Sequence, residues 1–327
     1  MSRLFVILTL GMVALFVISL VVGPAQIGPV DSLVALVAGD GSPLTLIMRE
    51  IRLPRAILAV LIGGGLGLSG AALQGYLRNP LAEPGLIGVS STAALGAVVA
   101  IHAGLAASLS LGLPLAALAG ALIGVFLVLG FAGSQGGSLT LILAGIAMSA
   151  LAGALTSLVL NLSPNPFAAS EIVFWMMGSL ADRSIVHVWL LLPFAFVGAA
   201  LLVSQARGLD ALTLGEDAAQ TMGINLSRLR LVLVVGVACI VGGSTAVAGA
   251  IGFVGLVVPH ILRPFVGAQP SRLLWASGLG GAIMLQAADI AVRVILPERD
   301  LKLGVVTALV GAPLFLHLIY KTRRGLA

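Results

Sequence analysis

The sequence predicts an all-α membrane protein, a polytopic bundle of about ten transmembrane helices. Of its 327 residues, 59% are hydrophobic and only 9% are charged, which leaves too little polar surface to coat a soluble domain. About 193 residues are apolar, and one bilayer crossing takes roughly 20 of them. The 42 glycines would weaken helices in water, but in lipid they let helices approach closely. We therefore expect residues 1–327 to form a single, tightly packed transmembrane domain.

Apolar runs separated by Gly, Pro and charged residues mark the expected spans. They cover residues 4–23, 55–77, 88–104, 112–132, 139–160, 185–205, 231–249, 251–267, 272–293 and 304–320. We expect the first to be an uncleaved span rather than a signal peptide, because its apolar run is long and no small-residue cleavage site precedes Pro24. The eighth contains Pro259 and Pro264, which predicts a tight turn or a bent helix near 248–252.

The distribution of charge predicts the orientation of the chain. Ten spans place both termini on one side of the membrane, and a basic C-terminal tail favours the cytoplasm. That tail contains Lys321, Arg323 and Arg324. In this orientation the inner segments sum to +6 and the outer segments to −1. We therefore expect a multi-pass protein with both termini in the cytoplasm.

Two short sequence features suggest that the halves of the chain are related. Arg52-Leu53 and Arg228-Leu229 each open an apolar, Gly-rich span. The two spans would start on opposite sides of the membrane, so the pattern predicts an inverted repeat, an architecture that many transporters share.

The sequence argues against a transporter that supplies its own energy. The only lysines are Lys302 and Lys321, and neither follows a glycine as a phosphate-binding loop requires. The carboxylates fall in loops or, like Asp289, near the end of a span, whereas ion coupling usually places one in mid-membrane. A bundle of this kind needs energy from elsewhere, and a partner ATPase acting on a cytoplasmic element would supply it.

The remaining polar residues exclude several other classes of protein. The four histidines are isolated from one another, and the single cysteine, Cys239, can form neither an intrachain disulfide nor a Cys-rich metal site. The net charge of +5 comes from scattered residues rather than a basic run, so we expect no nucleic-acid partner. We expect no catalytic residue, no metal site and no cofactor in this chain.

Four motifs in order along the chain resemble one family. The segment from Arg52 reads RLPRAILAVLIGGGLGLSGAALQGYLRNPLAEPGLIGVSS, followed by FWMMGSL at 174–180, GAIGFVGLVVPHILR at 249–263 and LGVVTALVGAPLFL at 303–316. They resemble the FecCD-type permeases of bacterial ABC importers for ferric siderophores, haem and vitamin B12. The resemblance implies a homodimer of permease subunits, two ATP-binding subunits that hold ATP and Mg, and a periplasmic substrate-binding protein.

The same resemblance assigns a docking role to three arginines. Arg52, Arg55 and Arg293 match family positions that pair with glutamates on the binding protein. Together with Arg49, the first two recur every three residues and can form a cationic ridge at the outer surface. The guanidinium fork suits bidentate pairing with carboxylates. The alternative is that these side chains extend to the membrane interface without a partner.

The cytoplasmic stretch at about 208–228 resembles the coupling segment of the family, which inserts into a cleft on each ATPase. We expect a short helix from about Gly215 to Met222, terminated by Gly223. The expected coupling residues are Leu214, Gly215, Glu216, Ala218, Ala219, Met222 and Gly223. The alternative is an ordinary solvated loop helix.

A Gly-Ser-rich bend at 134–140 resembles the cytoplasmic gate region of the family. Its flexible backbone would open and close the pathway. The gate candidates are Gly137, Ser138 and Thr140.

These expectations combine into one functional prediction. We expect a non-catalytic permease subunit that passes a metal chelate from periplasm to cytoplasm, driven by ATP hydrolysis in a separate subunit. Ferric siderophore, haem and cobalamin all stay open as cargo. The rival interpretations are an ion-coupled secondary transporter of a small solute and a membrane-embedded enzyme or cofactor-binding protein.

Overall fold

A computed structural model of the protein describes residues 2–23, 27–38, 40–109, 111–133, 137–163, 166–295 and 301–324. All regular secondary structure in these ranges is helical. The helices are α1 Ser2–Val21, α2 Pro29–Ala38, α3 Pro43–Leu46, α4 Leu53–Tyr76, α5 Val89–His102, α6 Leu105–Ser108, α7 Gly112–Ala132, α8 Ser138–Leu162, α9 Pro166–Met176, α10 Ile185–Ser204, α11 Ala206–Leu212, α12 Glu216–Thr221, α13 Leu226–Ala248, α14 Val254–Leu262, α15 Pro270–Ile295 and α16 Leu303–Arg324. The prediction of an all-helical membrane protein is confirmed.

Each of the ten predicted spans coincides with one of these helices. Within the described residues, seven helical stretches are long and apolar enough to cross a membrane: α1, α7, α8, α10, α13, α15 and the continuous stretch Pro43–Tyr76. The other three predicted spans coincide with α5 and α14, which are shorter apolar helices, and with α16, which contains the shorter apolar stretch Leu303–His317. Helix α5 has 14 residues and α14 has 9, so a run of apolar residues does not by itself give the length of a helix.

The helix that contains α4 begins earlier than the sequence predicts. The helical backbone is continuous from Pro43 to Tyr76 and includes a π-helical turn at Ile47–Arg52. Pro54 explains the wide turn, because it lacks an N–H and its ring would clash with the carbonyl of Glu50 in a regular α-helix. The N–H of Leu53 accordingly donates to the carbonyl of Met48, five residues earlier.

The packing of α4 against α15 depends on glycine. A side chain at Gly63 would meet the backbone of Gly281, and one at Gly67 would meet the carbonyl of Ser277. Without Cβ atoms the two helices approach to backbone contact. Helices α4 and α13 are largely buried, whereas α1, α8 and α10 expose much of their apolar surface, as expected for a bundle whose outer helices face lipid or other chains.

The predicted break in the eighth span is a five-residue connection rather than a bend within one helix. Helix α13 ends at Ala248, and α14 begins at Val254. Gly249 and Phe253 both have positive φ, 74° and 68°. The glycine takes this conformation at no cost, whereas Phe253 needs support from its surroundings. The inverted repeat stays a prediction.

Candidate functional site

Two of the predicted docking arginines bind the C-terminal end of α1. Arg52 donates from Nη1 to the carbonyls of Leu20 (2.9 Å) and Val21 (2.7 Å). Arg293 donates from Nη1 to the carbonyls of Ser19 (2.8 Å) and Val22 (2.7 Å). These carbonyls have no partner within the helix, and cations at a helix C-terminus are favourable. The two guanidinium groups therefore fix the end of α1 against α4 and α15.

A buried carboxylate joins the third arginine to this cluster. Asp289 on α15 has no exposed surface, and its Oδ1 lies 2.8 Å from Nη2 of Arg55. Its Oδ2 lies 3.0 Å from Nη2 of Arg293, one helical turn away. Arg293 also donates to the hydroxyl of Ser19 (2.6 Å). One buried carboxylate thus forms ion pairs with two of the three arginines, Arg55 and Arg293.

The structure thus brings Arg52, Arg55 and Arg293 together, but their guanidinium groups have internal partners. Arg52 is 4% exposed and Arg293 8%, whereas the side chain of Arg55 is 16% exposed. Arg49 is exposed and donates to the carbonyls of Leu36 and Val37, at the end of α2. The expected exposed ridge is therefore, in this conformation, a largely buried cluster, and the docking role of the three arginines stays a prediction.

The predicted coupling segment contains the expected short helix, α12 at Glu216–Thr221. Gly215 (φ 106°) precedes it and Gly223 (φ 85°) follows it, so both turns use conformations that favour glycine. Leu214 is 68% exposed and Met222 62%, which leaves two large apolar side chains in solvent on either side of α12. The helix prediction is confirmed.

The inner face of α12 is occupied by this chain. Ala219 is fully buried, whereas Ala218 is half-buried and Glu216 exposed. The carboxylate of Glu216 lies 3.9 Å from the guanidinium of Arg78, and both side chains are about half exposed, so this pair contributes little stability. Of the two predicted small contact residues, only Ala218 is accessible from outside the chain.

The predicted gate residues begin α8. Gly137 precedes the helix, Ser138 is its first residue, and Thr140 is exposed in its first turn. Residues 134–136 of the predicted bend lie outside the described residues. A cavity of about 280 Å³ separates this end of α8 from α12, with Gly137, Ser138, Glu216, Gln220 and Arg230 among its lining residues. The predicted gate and the predicted coupling helix therefore face each other across one small cavity.

A buried glutamine near the end of α4 is a residue that sequence reasoning missed. Gln74 is 1% exposed, and its Oε1 accepts a 2.6 Å hydrogen bond from Nη2 of Arg263. Its Nε2 donates to the carbonyl of Leu256 (3.2 Å) in α14 and, at 3.4 Å each, to those of Ala82 and Gly255. The one sequence signal for Gln74 is that a polar residue lies within a Gly-rich apolar span. That signal is weak, because polar residues are common near the ends of membrane helices.

The strained start of α14 is supported from the same region. Oε1 of Glu83 accepts a 2.9 Å hydrogen bond from the N–H of Phe253, the residue with positive φ that precedes α14. A carboxylate at a helix N-terminus is favourable because it satisfies a free N–H and faces the positive end of the dipole. The loop between α4 and α5 is therefore bonded directly to the break between α13 and α14.

The predicted outer side also holds a polar cavity of about 490 Å³, between α7, α9, α10 and the start of α16. Arg183 lines it, and burial lowers the pKa of this guanidinium below its usual value. His187 accepts hydrogen bonds through Nδ1 from the N–H of Ser184 (3.2 Å). Glu171, Asp182 and Lys302 complete a mixed set of charges, which does not select one class of ligand.

An apolar shelf of about 570 Å³ lies along one face of α16. Met176, Met177 and Ala250 contribute to it, together with Gly304 and Leu309. Leu309 is 68% exposed and Leu316 66%, and on α8 Leu139 is 67% exposed.

In the part of the chain that the structure describes, no three His, Cys, Asp or Glu residues are grouped as a metal site requires.

Comparisons with known proteins agree with this architecture. A model of the FecCD transport family matches residues 11–321. The cobalamin import system permease protein BtuC of Halobacterium salinarum is 41% identical over 275 residues, 84% of this chain and 73% of the relative. The vitamin B12 import system permease protein BtuC of Salmonella typhimurium is 40% identical over 308 residues, 94% of this chain and 91% of the relative.

A solved structure shares the fold. It is described as an inward-facing conformation of a metal-chelate type ABC transporter, and it superposes with a TM-score of 0.86 at 34% sequence identity. The alignment covers 98% of this chain and 100% of the other. Because the family model spans nearly the whole sequence and both relatives match over most of their length, the chain belongs to the FecCD transport family.

Proposed function

We propose that this chain is the permease subunit of an ABC importer that carries a cobalamin-type metal chelate across the inner membrane into the cytoplasm. The observation that carries the proposal is identity of 40% or more, over most of the chain, to permeases named for import of cobalamin and of vitamin B12. The metal-chelate transporter with the same fold supports the broader substrate class. The ion-coupled alternative is not favoured by these relatives.

The cargo would pass between two copies of the chain. The apolar shelf on α16 and exposed leucines of α8 such as Leu139 would be covered in part by a second copy of the chain. Large apolar faces of this kind are typical of contacts between membrane subunits. An uncharged lining suits a bulky chelate, because it offers no strong site from which the cargo must be released.

Energy would come from ATP bound to two partner ATPase subunits. Leu214 and Met222 would fill apolar pockets on the ATPase, as exposed anchors do at other interfaces, and Ala218 would permit close approach. Gly137, Ser138 and Thr140 would form the cytoplasmic gate on the far side of the cavity beside α12. This chain would switch between two arrangements of its helices and would not modify the cargo chemically.

The periplasmic binding protein would dock at the arginine cluster. Because Arg52 and Arg293 already bind the end of α1, docking through them requires an external carboxylate to replace or share an internal acceptor. Arg55, with the most accessible side chain of the three, is the best site for a test. We expect Arg55→Gln to weaken binding of the cognate binding protein about tenfold, the scale of one charged hydrogen bond. Arg228→Gln, at an exposed arginine on the predicted cytoplasmic side, serves as control.

The proposed cargo is tested by reconstituting the permease with its cognate ATPase and binding protein in proteoliposomes. We expect ATP-dependent uptake of cyanocobalamin that exceeds uptake of haemin or a ferric siderophore. Uptake by the permease alone, or uptake that collapses with an uncoupler while ATP is maintained, would contradict the proposal. Labelling of single cysteines introduced at residues 3 and 322 in a Cys239→Ser background, from each side of the membrane, would test the cytoplasmic position of both termini.

A further inference from the structure

The polar cavity of about 490 Å³ on the predicted outer side, named the outer cavity below, contains an arginine without an acceptor. Arg183 is half-buried, and its Nε is closed to solvent and has no hydrogen-bond partner. Within the described residues its guanidinium forms no ion pair, not even with the exposed Asp182 beside it. A guanidinium keeps its charge and carries only donors, so its burial without an acceptor is unfavourable.

Other buried or half-buried arginines of this chain differ from Arg183, because each of them binds an acceptor within the chain. Their acceptors are backbone carbonyls, the carboxylate of Asp289 and the amide oxygen of Gln74. These arginines are Arg52, Arg55, Arg230, Arg263 and Arg293. Burial of these arginines is thus accompanied by an internal acceptor, whereas an acceptor for Arg183 would come from outside the chain.

The remaining groups of the outer cavity do not supply that acceptor. Glu171 is exposed to solvent, and the ammonium of Lys302 lies 5.6 Å from the ring centroid of Phe174. The indole Nε1 of Trp175 is buried and, like Nε of Arg183, has no hydrogen-bond partner. Both of these unsatisfied groups are N–H donors. The lining charges as a set select no ligand, but the two unsatisfied donors favour a ligand with acceptor oxygens.

Two helices begin at the outer cavity. Leu113 and Pro114 lie in the first turn of α7, and His187 lies in the first turn of α10. The free N–H groups and the positive dipole end of a helix N-terminus favour an anion. The last turn of α13 also lines the cavity, but the carbonyl of Ala248 already accepts a 2.8 Å hydrogen bond from the N–H of Ser179. The helix ends therefore favour negative charge in this cavity.

The outer cavity lies at the depth where phospholipid phosphates are found. Its lining includes the predicted outer ends of α7, α10 and α13. Phe174 beside it is 56% exposed, and Trp189 in the second turn of α10 is 67% exposed. Aromatic side chains are enriched at this level of a membrane, and the guanidinium fork binds phosphate through two parallel hydrogen bonds. A phosphate group thus combines the required acceptor oxygens with the depth of the cavity.

We propose that the outer cavity is a binding site for a phosphate-type anion, which accepts hydrogen bonds from the guanidinium of Arg183. The headgroup of an outer-leaflet phospholipid and free phosphate share this chemistry. The inference goes beyond the proposed function and does not depend on it, because the purified permease alone suffices for the test.

Trp175 provides a reporter inside the outer cavity. The chain has three tryptophans, so Trp189→Phe with Trp275→Phe leaves Trp175 as the single fluorophore. In phospholipid-free detergent, this protein is titrated with dihexanoylphosphatidylglycerol and, separately, with sodium phosphate at constant ionic strength. We expect a saturable change in emission. We expect Arg183→Gln to raise the half-saturating concentration about tenfold, the scale of one charged hydrogen bond, and Arg183→Lys to raise it less. Arg228→Gln, at an exposed arginine far along the chain, serves as control.

Thermal stability separates binding from a structural role of Arg183. Without the anion, Arg183→Gln should not lower the melting temperature, because it breaks no hydrogen bond within the chain. Addition of the short-chain phospholipid or of phosphate should raise the melting temperature of the wild type more than that of Arg183→Gln.

The two titrations also distinguish the sources of the phosphate. A response to the phospholipid alone supports the site and identifies a headgroup, whereas a response to sodium phosphate alone supports the site and identifies the free anion. Dihexanoylglycerol has the same acyl chains without the phosphate and should give no response. The absence of a saturable response, an equal response to dihexanoylglycerol, or an unchanged response in Arg183→Gln overturns the inference.

Discussion

Replacement of Asp289 by asparagine tests whether the outer arginine cluster is held together by one buried charge. The carboxylate has no exposed surface, and it forms ion pairs with Arg55 at 2.8 Å and with Arg293 at 3.0 Å. Asparagine keeps the shape but removes the charge, and it places an amide group against one guanidinium. The cluster then contains three arginines and no acid among its described members.

The structure sets the size of the expected effect. Removal of one partner from a buried ion pair costs about 3 to 5 kcal/mol. Arg293 keeps its bonds to Ser19 and Val22, and the side chain of Arg55 is 16% exposed and can gain hydration. We therefore expect Asp289→Asn to lower the free energy of unfolding by about 3 kcal/mol, near the lower limit of that range.

The assay is equilibrium unfolding of the purified permease in mixed detergent micelles, followed by far-UV circular dichroism. Asp31→Asn is the matched control, because Asp31 is an exposed aspartate on the same predicted outer side of the membrane as Asp289. A double-mutant cycle with Arg55→Gln gives the pairwise energy, which we expect to be about 1 to 3 kcal/mol for residues in contact. A loss below about 0.5 kcal/mol, the usual size of a surface substitution, would refute the reasoning.

Three further predictions concern other parts of the chain. Gly70→Ala should strongly reduce thermal stability, because a Cβ at this position would collide with the backbone of Gly255. Gly130→Ala is the control, since Gly130 has open space around it. Equal melting temperatures of the two variants would contradict this account of the packing of α4 against α14. Thr45→Val should raise the pKa of Asp40 from about 2 towards its usual 3.8, because the hydrogen bond from the Thr45 hydroxyl is the largest cause of the lowered value. Since the pKa in the folded state is the lower one, the stability that this hydrogen bond contributes is present above about pH 4 and is lost towards pH 2. A ¹³C NMR titration of the carboxyl group would measure the change in pKa. The double substitution Leu214→Ser and Met222→Ser should abolish co-purification of the ATPase, because each exposed apolar side chain is expected to contribute about 1 to 2 kcal/mol of binding free energy. Leu46→Ser, at an exposed leucine on the predicted outer side, should leave co-purification unchanged.

The sequence alone predicted the helical class, a span at each long apolar helix and the short helix of the predicted coupling segment, although it missed the start of the helix that contains α4. These features depend on local properties: apolar runs about as long as a bilayer is thick, and glycines at positions such as Gly215 and Gly223, where the chain must reverse. The family motifs pointed to the same fold as the structural comparison. Charge counting gave an orientation that awaits direct measurement.

Only the tertiary structure decided what the polar residues do. The spacing of Arg52 and Arg55 predicted an exposed ridge, but their partners are carbonyls of α1 and a carboxylate more than two hundred residues away in the chain. The same holds for Gln74, whose acceptors lie in α14, and for Arg230, whose acceptor ends α7. A helical pattern specifies which residues share a face, whereas the free energy of a buried polar group depends on partners brought to it by packing, and no local pattern contains that information.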